Sequence, residues 1–111
     1  MFKFIVSGLA ALGMASAAIA QYPDPSPVSG DTFTHDPTVA RTPSGGYLMA
    51  LTANGVGLKT STNRINWRDV GAAFPNSAPW IITDTKGDLN LWAPDISYYN
   101  GKYFMYYLAL P

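Results

Sequence analysis

The sequence predicts an all-β chain made of repeated antiparallel units, the organisation of a β-propeller. Three observations carry this expectation. An aspartate heads the same kind of segment twice: His35-Asp36-Pro37-Thr38-Val39 is followed by Gly45-Gly46-Tyr47-Leu48-Met49, and Trp92-Ala93-Pro94-Asp95-Ile96 by Asn100-Gly101-Lys102-Tyr103-Phe104-Met105. Each copy reads as a short apolar strand, a glycine turn and a returning Tyr-x-Met strand, and the two aspartates stand 59 positions apart, a spacing of the kind that marks propellers and arrays. After the first 20 residues no apolar pattern recurs at helical spacing.

The elements follow in order. Residues 1–20 carry one lysine, an apolar stretch and Ala18-Ile19-Ala20, the pattern of a cleaved secretory signal peptide, so the protein is expected to be secreted and extracellular. The apolar run is shorter than the roughly 20 residues that a membrane span needs. Residues 21–30 contain Tyr22-Pro23-Asp24-Pro25-Ser26-Pro27, an extended proline-rich arm that suits neither a helix nor a central strand. Residues 31–111 are expected to form part of a propeller domain. Thr38 to Arg41 is a short strand, and Thr42-Pro43-Ser44-Gly45-Gly46 a turn. Tyr47 to Thr52 is apolar on both faces, as in a buried strand. Asn54-Gly55 signals a hairpin leading to a strand from Val56 to Thr60. Trp67 to Ala72 supplies a fourth strand, with Trp67 as core, and four strands in so short a stretch have the size of one blade. Phe74 to Asn90, holding Pro75, Pro79 and Gly87, is expected to be a long connection without helix. Ile96 to Tyr99 and Lys102 to Leu108 begin a second unit, whose apolar and aromatic edge invites association when nothing pairs with it.

Composition excludes several classes. Seven basic and seven acidic residues leave no net charge, so no basic patch is available for nucleic acid or an anionic membrane. Without cysteine there is no disulfide, and with a single histidine there is no zinc site of the usual ligand set. No metal and no cofactor are implied. Seven tyrosines, three tryptophans and five phenylalanines serve either a β-core or the stacking of sugar rings.

Two readings stand side by side for each candidate site residue. Asp36 heads an inner strand, where a propeller opens its funnel, and Pro37 fixes the backbone beside it. It acts either as a general base that takes a proton from an attacking water, or as the start of an Asx-turn. Asp95, taken as its counterpart in the second unit, either lines the site or caps a local turn. Trp92 either stacks on a sugar or packs a rim. His35 either bonds Asp36 or is satisfied by backbone. Trp80 has a weaker claim than Trp92 as a sugar platform.

At these residues the chain resembles glycoside hydrolase family 43, and within it the fungal endo-1,5-α-L-arabinanases. The motifs are His35-Asp36-Pro37-Thr38-Val39, Gly57-Leu58-Lys59-Thr60-Ser61-Thr62, Asn90-Leu91-Trp92-Ala93-Pro94-Asp95-Ile96-Ser97-Tyr98 and Asn100-Gly101-Lys102-Tyr103-Phe104-Met105-Tyr106-Tyr107. The resemblance implies a five-bladed propeller, of which this chain holds the first blade and part of the second. It implies inverting hydrolysis of 1,5-α-arabinofuranosidic linkages in plant cell-wall arabinan or arabino-oligosaccharides, by a monomer in the full-length enzyme. It gives Asp36 the role of catalytic base; Trp92, Asp95 and His35 are the candidate substrate-binding residues by their positions beside it. The family also uses a general-acid glutamate and a second aspartate from later blades. This chain contains no glutamate, so it is expected to be an N-terminal fragment, inactive by itself. The other classes of function open to it are a non-catalytic carbohydrate-binding module and a secreted β-domain that works through protein contacts.

Overall fold

The structure, a computed structural model, describes residues 26–111. The expected signal peptide and the first half of the proline-rich arm lie outside the described residues. In chain order the elements are β1 (Ser29–Gly30), β2 (Thr38–Arg41), β3 (Tyr47–Leu51), β4 (Ala53–Asn54), β5 (Gly57–Ser61), β6 (Asn66–Ala72), α1 (Pro79–Asp84), β7 (Asn90–Tyr99) and β8 (Lys102–Ala109). They form a five-stranded sheet ordered β1-β6-β5-β3-β2 and a three-stranded sheet ordered β4-β7-β8. All pairings are antiparallel except β1 with β6, where the end of the proline-rich arm adds a parallel edge strand.

Turn chemistry sets the first sheet. Gly45 takes a φ of 89°, and its N–H donates to Thr42 O at 2.9 Å, closing the β2–β3 hairpin. Between β5 and β6, Asn63 Oδ1 accepts from the N–H groups of Ile65 and Asn66, each at 2.9 Å. One face of this sheet packs on the second sheet. Period-two alternation brings Ala40 and Ala50 together with Ile96 and Leu91, while Leu48, Leu58, Met105 and Tyr107 close around them.

The opposite face carries a strap. Lys59 lies opposite Met49 on β3 and Asp69 on β6. Residues 31–34 run along this row. Asp69 N–H donates to Asp31 Oδ2 at 2.7 Å, and Thr34 Oγ1 reaches Met49 Sδ at 3.7 Å. Lys59, only 4% exposed, donates its Nζ to Asp31 O at 2.7 Å and to Phe33 O. A buried ammonium is costly unless its donors are satisfied, so these carbonyls both neutralise that cost and fix the strap that delivers His35 and Asp36.

Two expectations are corrected, and a third holds with a longer link than its turn residues alone imply. The connection after Phe74 contains a helix, α1. It is six residues long, too short for a periodic pattern, and starts at a proline whose missing N–H costs nothing there. Its Ile81 is fully buried in the shared core. The hairpin expected at Asn54-Gly55 forms: β3 and β5 are antiparallel, and Val56 N–H donates to Ala53 O at 3.1 Å across the turn. The β3–β5 link runs from Thr52 to Val56, and inside it Ala53 and Asn54 pair with Leu91 and Asn90 of β7. β7 itself starts at Asn90 rather than Ile96, so Trp92 to Asp95 belong to the strand.

The register also redraws the internal repeat. In the first hairpin Thr38 pairs with Ala50, Val39 with Met49 and Arg41 with Tyr47. In the second, Asp95 pairs with Tyr106, Ile96 with Met105 and Tyr98 with Tyr103. Asp95 therefore corresponds to Thr38, 57 positions earlier. The counterpart of Asp36 is Ala93: both precede a proline, and both hold a left-handed backbone, with φ of 45° and 44°. The expected equivalence of Asp36 and Asp95 is corrected accordingly.

Two outcomes test this packing. Gly55 has a φ of 69°, and a Cβ there would sit 2.2 Å from Phe74 O. Gly55→Ala is expected to lower unfolding stability by on the order of 2 kcal/mol or more in a denaturant titration, since the left-handed cost alone reaches that range. β8 is an edge strand with Tyr106 72% and Leu108 53% exposed. The isolated chain is expected to self-associate in size-exclusion chromatography, and Tyr106→Lys to shift it toward monomer.

Candidate active site

The end of β2 nearest the strap, the link after β3 and the start of β7 converge on one carboxylate. Asp36 Oδ2 accepts a hydrogen bond from Thr52 Oγ1 at 3.1 Å. Thr52 Oγ1 in turn accepts from Ala93 N–H at 2.8 Å, and Thr52 N–H donates to His35 O at 3.0 Å. His35 Nδ1 stands 3.6 Å from the same Asp36 Oδ2, beyond hydrogen-bond length but close enough for attraction when the imidazole is protonated. The side chains of His35 and Asp36 are 57% and 43% exposed. The His35 ring meets Trp92 edge to face, with centroids 6.2 Å apart.

The Asx-turn reading of Asp36 fails on geometry. Asp69 and Asp88 do make such turns: each Oδ1 accepts the N–H two residues on, from Gly71 and Asn90, at 2.8 Å. Asp36 instead bonds a hydroxyl 16 residues away. Its carboxylate is held by tertiary structure, and Oδ1 has no hydrogen-bond partner among the described residues. A held carboxylate with one open oxygen can orient a water and take its proton. The left-handed backbone of a non-glycine residue is a further departure from ordinary loop geometry, of the kind that clusters at functional positions.

The remaining expected residues fall around this centre. Asp95 is exposed and accepts from Thr38 Oγ1 at 3.3 Å, with Ile96 N–H donating to the same hydroxyl at 3.5 Å. It links the two inner strands rather than capping a turn. The imidazole of His35 faces Asp36 and Trp92 and makes no hydrogen bond to Asp36 or to backbone among the described residues; its link to Thr52 is through its backbone carbonyl. Trp92 is half-buried, and its Nε1 is buried without a hydrogen-bond partner among the described residues. Trp67 is buried, with Nε1 donating to Arg64 O at 3.1 Å, whereas Trp80 is 52% exposed on α1, away from these contacts. Sequence reasoning missed Thr38 and Thr52. A threonine closing the apolar run from Tyr47 to Leu51 was the available signal. Two grooves lie off the site, the first at the opposite end of β2 and β3 and the second adjoining it. One, of about 350 Å³, sits at the Thr42–Gly46 turn with Tyr47 and Arg68. The other, of about 400 Å³, lies by the strap between Phe33, Leu51 and Asp69 and shares Thr52 with the site.

Two antiparallel units thus meet through β2 and β7 beside a carboxylate with one open oxygen among the described residues. The profile of glycosyl hydrolases family 43 matches residues 25–110, and the chain belongs to that family. It is 37% identical over 98 residues to a protein of Neosartorya fischeri described as a probable arabinan endo-1,5-alpha-L-arabinosidase C, a match covering 86% of this chain and 30% of that protein. It is 38% identical over 100 residues to arabinan endo-1,5-alpha-L-arabinosidase C of Emericella nidulans, again 86% of this chain and 30% of the relative. The chain thus spans about 30% of the length of the curated relatives it matches. Among solved structures, the family 43 endo-arabinanase of Bacillus licheniformis superposes with a TM-score of 0.65 at 33% identity, over 73% of this chain and 29% of that one. The alpha-L-arabinanase of Cellvibrio cellulosa complexed with arabinohexaose superposes with a TM-score of 0.61 at 32% identity, over 67% and 24%.

The left-handed residue at the start of β7 is testable. Ala93→Gly is expected to stay within about 1 kcal/mol of the parent, because relief of the φ of 44° offsets the added chain entropy. Ala93→Val places a β-branched residue at that φ and is expected to be clearly more destabilising, as thermal melts of the pair will show.

Proposed function

We propose that this chain is the N-terminal part of a secreted, inverting endo-1,5-α-L-arabinanase, and that Asp36 is its general base. The observation that carries the reading is the Asp36 carboxylate. It is held through Oδ2 by Thr52, is not used in a local turn, and keeps Oδ1 open at an exposed strand end. In this reading the two sheets are the first blade and part of the second of a five-bladed propeller. The names of the relatives and the arabinohexaose complex of the Cellvibrio cellulosa structure support arabinan and arabino-oligosaccharides as substrates. The pattern of residues 1–20 supports secretion.

The chemistry runs as follows. A water bound to Asp36 Oδ1 gives its proton to the carboxylate as its oxygen attacks the anomeric carbon. The bond to the departing arabinose oxygen breaks on the opposite face, which inverts the configuration. That oxygen needs a proton, and with no glutamate in these 111 residues the general acid comes from elsewhere in the complete enzyme. The acid stands far enough from Asp36, about 6.5–9.5 Å in inverting enzymes, to leave room for the water. Trp92 offers an indole beside the site for stacking on a sugar ring, while His35 and Asp95 flank it.

The test is a chimera in which residues 26–111 replace the matching stretch of the Emericella nidulans relative. The chimera is expected to hydrolyse linear arabinan. Asp36→Asn in it is expected to lower kcat at least about 100-fold, the contribution of a general base. The 111-residue chain alone is expected to release no oligosaccharide above a blank. Asp36→Asn activity within a few-fold of the parent chimera, or clear turnover by the isolated chain, would overturn the proposal.

A further inference from the structure

We infer that Thr52 is a positioning residue that selects which oxygen of Asp36 meets the water, through a relay that starts in the second sheet. The inference rests on the reading of Asp36 as the base. Three atoms carry it. Ala93 N–H lies 2.8 Å from Thr52 Oγ1, and Thr52 Oγ1 lies 3.1 Å from Asp36 Oδ2. A backbone N–H can only donate, so the hydroxyl oxygen accepts from Ala93. A hydroxyl has a single proton, and that proton is then directed to Asp36. The direction of the relay is therefore set from Ala93 to Thr52 to Asp36, and Oδ2 is an acceptor within it.

Burial makes the relay durable. Thr52 is 8% exposed, so water has little access to replace its hydroxyl. Its own N–H is bound to His35 O at 3.0 Å, which fixes the backbone on both sides of the contact. His35 Nδ1 approaches the same Oδ2 at 3.6 Å. Both neighbours therefore crowd one oxygen and leave Oδ1 for the water. The relay also crosses between the sheets, because Thr52 lies in the link after β3 and Ala93 lies on β7. The orientation of the base thus depends on the seating of β7, and a hydroxyl at position 52 transmits it.

The chimera described above is tested as Thr52→Val and Thr52→Ser, alongside Asp36→Asn. Valine keeps the branched shape and removes the hydroxyl; serine keeps the hydroxyl. Thr52→Val is expected to lower kcat about 10- to 100-fold with KM within about twofold, the scale of loss when a reacting group is misplaced by about an ångström. Thr52→Ser is expected to recover most of that loss. The exchange of the Ala93 amide with deuterium, read by mass spectrometry with fragmentation or by NMR, is expected to quicken in Thr52→Val and to stay slow in Thr52→Ser. The inference is overturned if Thr52→Val keeps the parent kcat, if serine falls as far as valine, or if only KM changes. If valine does not fold, Thr52→Ala carries the same comparison. Should Asp36→Asn retain activity, the general-base reading fails instead. The relay is then judged by amide exchange alone, and an Ala93 amide unmoved by Thr52→Val would refute it.

Discussion

The seating of β7 against the first sheet is the constraint on which the rest of the structure depends. Two threonine hydroxyls make this junction polar as well as apolar: Thr52 takes the N–H of Ala93, and Thr38 meets Asp95 and the N–H of Ile96. Beneath them Ala40, Ala50, Leu91 and Ile96 exclude water. Restricted water access around the largely buried Thr52 strengthens its bond to Ala93 N–H and makes an unmade one expensive. Strand order, core and carboxylate orientation are consequently not separable features. A shift of β7 by one residue would send Ile96 out of the core and move Ala93 off Thr52 together.

Three of the seven non-glycine residues with positive φ among the described residues lie where the two units meet. Asp36 and Ala93 hold left-handed conformations ahead of prolines, and Val56, a fully buried β-branched residue, holds a φ of 61°. Each is stabilised by nonlocal or turn contacts: Asp36 by Thr52, Ala93 by the same hydroxyl, and Val56 by its N–H to Ala53 O and its carbonyl to Ala73 N–H. Such conformations persist only when surrounding contacts over-determine them. The Lys59 strap does the same for the approach to Asp36. Its ammonium holds two carbonyls of residues 31–33, so the strand end that carries the base enters at a set angle.

Much of the strand layout was legible from residue order. The hairpin from Thr38 to Leu51 was read closely, because glycine and proline turns and period-two alternation act over a few residues. The motif around Asp36 marked a local backbone constraint, since an Asp-Pro pair heads the short apolar run there. The helix at Pro79–Asp84 was not legible. Its stability comes from burying Ile81 under both sheets rather than from its own pattern. Likewise, Asn54-Gly55 turns the β3–β5 hairpin as read, but nothing local shows that Ala53 and Asn54 also pair with a strand that begins 36 residues later in the chain, at Asn90.

By itself, the sequence determined the β class, the turns and the candidate carboxylate, because those follow from chain stiffness and side-chain period. The partner of that carboxylate was decided only in three dimensions. Sequence spacing paired Asp36 with Asp95, whereas the strand register pairs Asp95 with Thr38 and leaves Ala93 as the counterpart of Asp36. The physical reason is that register is set by which side chains the two sheets can bury against each other. A hydroxyl such as that of Thr52 acquires its role only when that burial brings residues 36, 52 and 93 within hydrogen-bond reach.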